Sequence, residues 1–326
     1  MDEYYFYYKE RLPRTSPWLQ EWDIFLSAFN SSERVRLISE RVKAPIRYWL
    51  ALPEYHYEPA DLPRTGEQYT APAGDEAQFV SQLIELLPSL SSKRIVVDIT
   101  GFISHYVIVL LSLLNKAGVV SCDVIYGEPE RYLQSERTRF SDEAVMEVRQ
   151  IAGFEGIHTT DTDDDLLILN VGFDARLVAE VANFKENARK IQLFGMPSLR
   201  PDMYQQGLLR AYRVADAMGP DAAHPQHFRF APAHDPFLTA STLSELVRHH
   251  RKKSPRSNVY LTPLSTKAQA LGFSVYYLRE CQNTATSILY PFCRSYMRET
   301  SEGLSGAWLY HVELANLCAG ASRRVS

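Results

Sequence analysis

Residues 94–101, RIVVDITG, constrain the fold of this chain more than any other stretch. The run is apolar, breaks into Asp98, Thr100 and Gly101, and leads into a long apolar helical pattern. That order reads as a buried parallel strand, a polar turn and a crossover helix, which is how a ligand crevice opens at the edge of an α/β sheet. Val259 to Leu278 repeats it: the strand-like VYLT opens into PLSTKAQALG, and a helical pattern follows. Two polar strand-to-helix turns are therefore expected to face a common ligand.

Strand-like and helix-like segments alternate through most of the chain, which predicts the α/β class: a Rossmann-like, largely parallel sheet with helices on both faces, either as one extended sheet or as two pseudo-repeated lobes. WDIFLSAF at 22–29 reads as a first strand, Ser31 or Ser32 as the cap of a helix ERVRLISERV, and Ile46 to Leu52 as a second strand. A proline-rich and acidic loop over 53–76 precedes the helix QFVSQLIELL. After a helix over 102–117 that stops at Gly118, a strand from Cys122 to Tyr126 is expected to end at Gly127, Glu128 and Pro129, followed by a helix over 141–152. LLILNVGFD and KIQLFG read as further strands flanking a helix from Arg176. The last part reads as a helix over Thr242 to Arg251, then VYLT, the helix KAQALGFSVYYL and the strands TSILYPF and AWLYHVEL. Pro220, Pro225, Pro232 and Pro236 mark the best junction. The expected division is an N-terminal βαβ unit with its connecting loop (1–76), a central Rossmann-like unit (77–218) and a C-terminal lobe completing or extending the sheet (219–326), with 319–326 a frayed tail.

Composition sets the class of environment. With 45% hydrophobic and 23% charged residues and a net charge of -4, the chain has the make-up of a soluble globular protein with no bulk basic signal for nucleic acid. The N-terminus MDEYYFYYKERLPR lacks an apolar signal core, and the run from Phe102 to Leu114 is too short to span a bilayer, so a cytoplasmic protein with no membrane partner is expected. Cys122, Cys281, Cys293 and Cys318 show no CxxC spacing, and His224, His227 and His234 fit no ligand cage, so no metal and no cofactor are expected.

The candidate ligand-binding residues come from the turns. Asp98 and Thr100 alternate toward one face, Gly101 lets a ligand approach the main chain, and Ser104 begins the helix. Gly127 and Glu128 end the neighbouring strand. In the second turn Ser265, Thr266, Lys267 and Gln269 supply two hydroxyls, a cation and an amide before Gly272 allows tight helix packing. Such groups at a helix N-terminus suit a phosphate or ribose, and the same residue types also serve as plain helix caps. No GxxxxGK[ST] loop and no dinucleotide glycine fingerprint occur, so ATP hydrolysis and ordinary hydride transfer lack their usual signatures.

DITG followed by a helix resembles the CRISPR-associated Rossmann-fold sensors known as CARF domains, and PLSTKAQALG resembles the second ligand loop of those and of the related SAVED sensors. The resemblance covers about residues 94–290, with Thr100, Gly101 and Lys267 at matching positions. It implies a pocket for a nucleotide or cyclic oligonucleotide and a place in antiviral defence. The sequence departs from the pattern where Phe102 replaces the second glycine after DxTG and His105 stands near a common lysine. DIFLSAFNSSERV also has the look of a Toll/interleukin-receptor or deoxyribosyltransferase entrance, in which Ser27, Asn30 and Glu33 would contact a nucleotide.

The leading expectation is a sensor or regulatory subunit that binds a nucleotide-derived ligand and reports occupancy to an effector protein or within a homo-oligomer. The alternatives are a nucleotide glycosidase or transferase with Glu33 or Asp98 as the working carboxylate, and a structural subunit of a larger complex. RHHRKKSPR at 248–256 is the one concentrated basic run and would meet an acidic partner or nucleic acid, or be a solvated helix end.

Overall fold

The computed structural model describes residues 4, 7–14, 18–70, 75–87, 89–132, 145–172, 174–199, 209, 217 and 224–315. In chain order the main elements are β1 (Lys9–Leu12), β2 (Ile24–Ala28), α1 (Glu33–Arg41), β3 (Ile46–Ala51), β4 (Glu67–Thr70), α2 (Glu76–Leu86), β5 (Ile95–Asp98), α3 (Ser104–Lys116) and β6 (Ser121–Tyr132). They continue with β7 (Val145–Gln150), β8 (Leu166–Asn170), α4 (Ala175–Phe184), β9 (Arg189–Gly195), β10 (Phe228–Ala231), α5 (Pro236–Lys253), β11 (Val259–Pro263), α6 (Lys267–Tyr276), β12 (Thr286–Cys293) and β13 (Ser301–Glu313). The class is α/β, with two mostly parallel sheets.

The seven-stranded sheet runs β1-β13-β6-β5-β2-β3-β4 and the six-stranded sheet runs β10-β9-β8-β11-β12-β7. In the first, β4, β3, β2, β5 and β6 are parallel and β13 and β1 are antiparallel additions. In the second, β10, β9, β8, β11 and β12 are parallel and β7 is antiparallel. Numbered in chain order, the parallel strands of both sheets read 3-2-1-4-5. The order therefore reverses beside the first parallel strand of each, between β2 and β5 and between β8 and β11.

The sequence forms these elements for local reasons. β5, β8 and β11 are buried along their whole length, which their unbroken apolar character requires. On the first sheet Phe25, Trp49, Val96 and Ile125 form one core with Val35 and Ile38 of α1, while the alternate set Ile24, Leu26, Ile95 and Val97 is equally buried, so both sheet faces are covered. The outer side of α1 carries an i,i+4 pair, Arg36 to Glu40 at 2.8 Å. Gly118 ends α3 in the left-handed conformation at φ +83°, as expected for its position. Gly272 packs α6 on α5: a Cβ there would lie 2.4 Å from the Pro236 carbonyl oxygen.

Several expectations are corrected. Residues 145–150 form β7 rather than part of a helix, because pairing with β12 and the stack of Arg149 on Phe292 at 3.6 Å outweigh the helical propensity of Met146, Glu147 and Gln150; 141–144 lie outside the described residues. Gly127, Glu128 and Pro129 sit inside β6 rather than at its end. The long antiparallel partner β13 carries the strand onward, and a register shift between Leu304 and Gly306 accommodates Pro129, which has no N–H to give. The 53–76 loop contains an edge strand, β4.

The domain boundaries also differ. The chain forms two compact units, one of residues 6–143 and 294–316 and the other of 1–5, 144–293 and 317–326. The cut at 76 would fall inside the first sheet and the cut at 218 between paired strands of the second, since β10 bonds to β9. The physical reason is strand exchange: after β6 the chain supplies β7 to the second sheet, and after β12 it returns β13 to the first. The tail 319–326 lies outside the described residues.

Candidate functional site

In the unit of 6–143 and 294–316, β2 and β5 end side by side where the strand order reverses, the position at which open α/β sheets receive ligands. Ser27 pairs with Asp98 across these strands. Asp98 is fully buried; it accepts from Ser27 Oγ at 3.1 Å and from the Thr100 amide at 3.0 Å. Burial pushes its carboxyl up to about 6, against the lowering effect of hydrogen bonds from Thr100 and Ser27 and of the nearby Arg34 charge. Thr100 Oγ1 accepts from the Gly127 amide at 2.9 Å, so the β5 turn is tied to β6. Gly101 is needed for close packing: a Cβ there would lie 2.2 Å from the Ala28 carbonyl oxygen, at the end of β2. Ser104 is the buried first residue of α3.

The structure thus brings Asp98, Thr100, Gly101 and Gly127 together and adds Arg34, which sequence reasoning missed. Arg34 lies in the first turn of α1 with 8% of its surface exposed, donating to the Gly127 carbonyl and to Ser301 Oγ, each at 2.7 Å. A cation at that helix end opposes the dipole, which is the one signal that it needed a specific partner. Glu128 is turned to other neighbours, accepting from Trp308 Nε1 at 2.8 Å and from Arg11 at 3.5 Å. Asn30 accepts from the Ser32 amide at 2.9 Å. Glu33 is exposed and ion-pairs with Arg36 at 3.6 Å. Of the two candidate working carboxylates, Asp98 is sealed from solvent and Glu33 is exposed beside Arg36.

The N-termini of the helices separate the two switch points. Asp75, Asp174, Asp235 and Thr266 each accept a backbone amide as the N-cap of α2, α4, α5 and α6. The helices that leave β2 and β5 have no such bond: Ser32 occupies the N-cap of α1 without capping it through its hydroxyl, and Ile103 stands at the N-cap of α3. Both helices of the first switch point therefore begin without the side-chain acceptor that the other described α-helices use.

The second turn lies in the other unit, so Thr100 and Lys267 belong to different units. There the predicted ligand residues are engaged in holding the sheet end together. Gln269 is fully buried, accepting from Asn170 Nδ2 at 3.2 Å and donating to the Ala231 carbonyl at 3.3 Å. Asn170 Oδ1 accepts from the Ser265 amide at 3.3 Å. Thr266 Oγ1 accepts from the Gln269 amide and donates to the Ala233 carbonyl. A Cβ on Gly172 would lie 1.9 Å from the Leu264 carbonyl oxygen, so the β8 and β11 turns are in direct backbone contact. Lys267 is half-buried at the start of α6.

No family model matches this chain, and no curated protein or solved structure does.

Among the described residues no group of His, Cys, Asp and Glu is arranged to hold a metal ion, and no helix is long and apolar enough to cross a membrane. Burial pushes the thiols of Cys122 and Cys281 up to about 12, which suits packing rather than reactivity. The basic run is partly spent: Arg248 pairs with Glu280 at 3.2 Å and Arg251 donates to Thr286 Oγ1 at 2.6 Å, leaving Lys252, Lys253 and Arg256 exposed around the end of α5.

Proposed function

We propose that this chain is a sensor or regulatory subunit that binds a nucleotide-derived ligand at the β2/β5 switch point of the unit formed by 6–143 and 294–316. The observation that carries the reading is the pair of helices, α1 and α3, that start at this switch point without side-chain caps. Helix N-termini without a side-chain cap favour an anion such as a phosphate, and Arg34, in the first turn of α1, adds a positive charge held on the Gly127 carbonyl. On this reading the unit is Rossmann-like, and the second unit is a pseudo-repeat whose corresponding turns have become a structural staple. Thr100 and Gly101 then shape the crevice by holding β5 to β6 and β2, and Lys267 lies in the repeat rather than against this ligand. The likeness of DITG to CARF domains favours an oligonucleotide or cyclic nucleotide in a cytoplasmic defence system, with an effector protein or a second copy of the chain as recipient of the signal.

Incubation of the purified protein with nucleotide pools, followed by mass spectrometry of both the retained and the free fractions, tests this. Retention of an unaltered nucleotide, abolished by Arg34→Gln, supports the sensor. Appearance of a free base or a transferred sugar replaces it with an enzyme.

A further inference from the structure

The segment from Glu54 to Tyr57 lies across the β2/β5 switch point and is fastened there at both edges. Tyr57 Oη accepts from the Ser31 amide at 2.9 Å and donates to Ser31 Oγ at 3.0 Å, directly before α1. Tyr55 Oη donates to the Gly101 carbonyl at 3.1 Å, directly before α3. Glu54 accepts from Tyr106 Oη at 3.1 Å and stands 3.6 Å from His105 Nε2, both on the first turn of α3. From the outer side the link between β12 and β13 grips the same segment: the Tyr296 amide donates to the Glu54 carbonyl at 2.9 Å. Arg298 donates through Nε to the Tyr55 carbonyl at 2.8 Å and through Nη2 to the His56 carbonyl, and its guanidinium lies 4.3 Å from the Tyr57 ring centre.

We infer that residues 54–57 form a closed strap, latched by Arg298, whose two tyrosine hydroxyls occupy the places of a ligand's own oxygens and must be displaced for the ligand to bind. Four features carry the argument. The Ser31 amide is a backbone donor of one switch-point turn and the Gly101 carbonyl a backbone acceptor of the other, and the strap satisfies the first with an acceptor and the second with a donor. A phosphate oxygen would take the first place and a sugar hydroxyl the second, so the same two positions define a ligand carrying both groups, as a ribonucleotide does. Most of the strap's holds come from groups distant in sequence, so it can lift as a unit without unpairing β3, which ends at Ala51. His56 sits at φ +50°, an uncommon conformation for a residue with a side chain, and it places a pivot within the segment. Arg298 is exposed, so its two carbonyl bonds compete with water and the latch is weak enough to open.

This inference rests on the ligand reading above, and its test separates the two. Amide hydrogen exchange is followed in the full chain and in Arg298→Ala, with Tyr57→Phe as a second variant that removes one hydroxyl and keeps the ring. Binding of adenosine triphosphate and of a cyclic oligoadenylate is measured on each. The latch variant is expected to exchange the Ser31 and Tyr296 amides, which donate to the Tyr57 hydroxyl and the Glu54 carbonyl, about tenfold faster while the β2 and β5 amides keep their protection. It should also bind whichever probe the unaltered chain retains about threefold or more tightly, because the closed population no longer competes. Unchanged exchange at Ser31 and Tyr296 in both variants overturns the strap, as does faster exchange accompanied by unchanged or weaker binding. If neither the unaltered chain nor the variants bind a nucleotide, the ligand reading fails and the gating role falls with it, while the exchange data still show whether the segment opens.

Discussion

Ser27 gives its hydroxyl to the Asp98 carboxylate at 3.1 Å, joining the last turns of two neighbouring parallel strands at the point where strand order reverses. Both residues are fully buried, so the pair is a fixed polar seam inside an apolar sheet. Its energetic consequence depends on pH.

Burial holds the Asp98 carboxyl at about 6, above its ordinary value of 3.8. A carboxyl raised in the folded state keeps its proton more tightly there than in the unfolded chain. The stability it contributes is therefore complete below about pH 4 and is lost as pH rises through about 6. The free-energy swing is on the order of 2–3 kcal/mol. Asp98→Asn should lack this component, and the difference in urea midpoint between the unaltered protein and this variant, taken at pH 5 and pH 7.5, should move in favour of the variant at the higher pH.

Gly101 and Gly172 sit where a side chain has no room, against the carbonyls of Ala28 and Leu264. Alanine at either place should lower stability by roughly 2–4 kcal/mol through forced backbone displacement. Gly153, at φ +86° with open space around its missing Cβ, should cost only about 1 kcal/mol on the same change. Thermal denaturation of the three variants checks the ranking.

Arg34→Leu removes the donors to the Gly127 carbonyl and to Ser301 and a positive charge that lowers the Asp98 carboxyl. A loss of about 2–4 kcal/mol is expected. Arg34→Lys should recover part of it, since the charge survives but the two-pronged geometry does not. Denaturant titration of both variants measures the split.

Gln269→Ala tests the opposite assignment in the other unit. It breaks the bonds to Asn170 and the Ala231 carbonyl and should cost about 2–3 kcal/mol, with nucleotide retention per folded molecule unchanged. Lost retention at full stability would return Gln269 to the ligand site.

Most of the parallel framework was legible because buried strands such as IVVD and LLILN announce themselves by unbroken apolar runs. The exchange of β7 and β13 was not. Whether Val145–Gln150 pairs or coils is decided by β12, more than a hundred residues away, and no local pattern carries that information. The candidate site divided in the same way. Asp98, Thr100 and Gly101 were visible as a polar turn, whereas Arg34, Tyr55, Tyr57 and Arg298 are brought to it by tertiary contacts with residues up to 267 positions away. Gln269 and Thr266 read alike as a ligand loop or as a buried staple, because both draw on the same polar residues, and here their side chains bond the Ala231 and Ala233 carbonyls.

Hydrogen-exchange mapping of the protein with its retained nucleotide tests the central claim most directly. Binding at the β2/β5 switch point predicts new protection in the amides of 31–35 and 100–105. Protection confined to 264–270, with 31–35 and 100–105 unchanged, would contradict it.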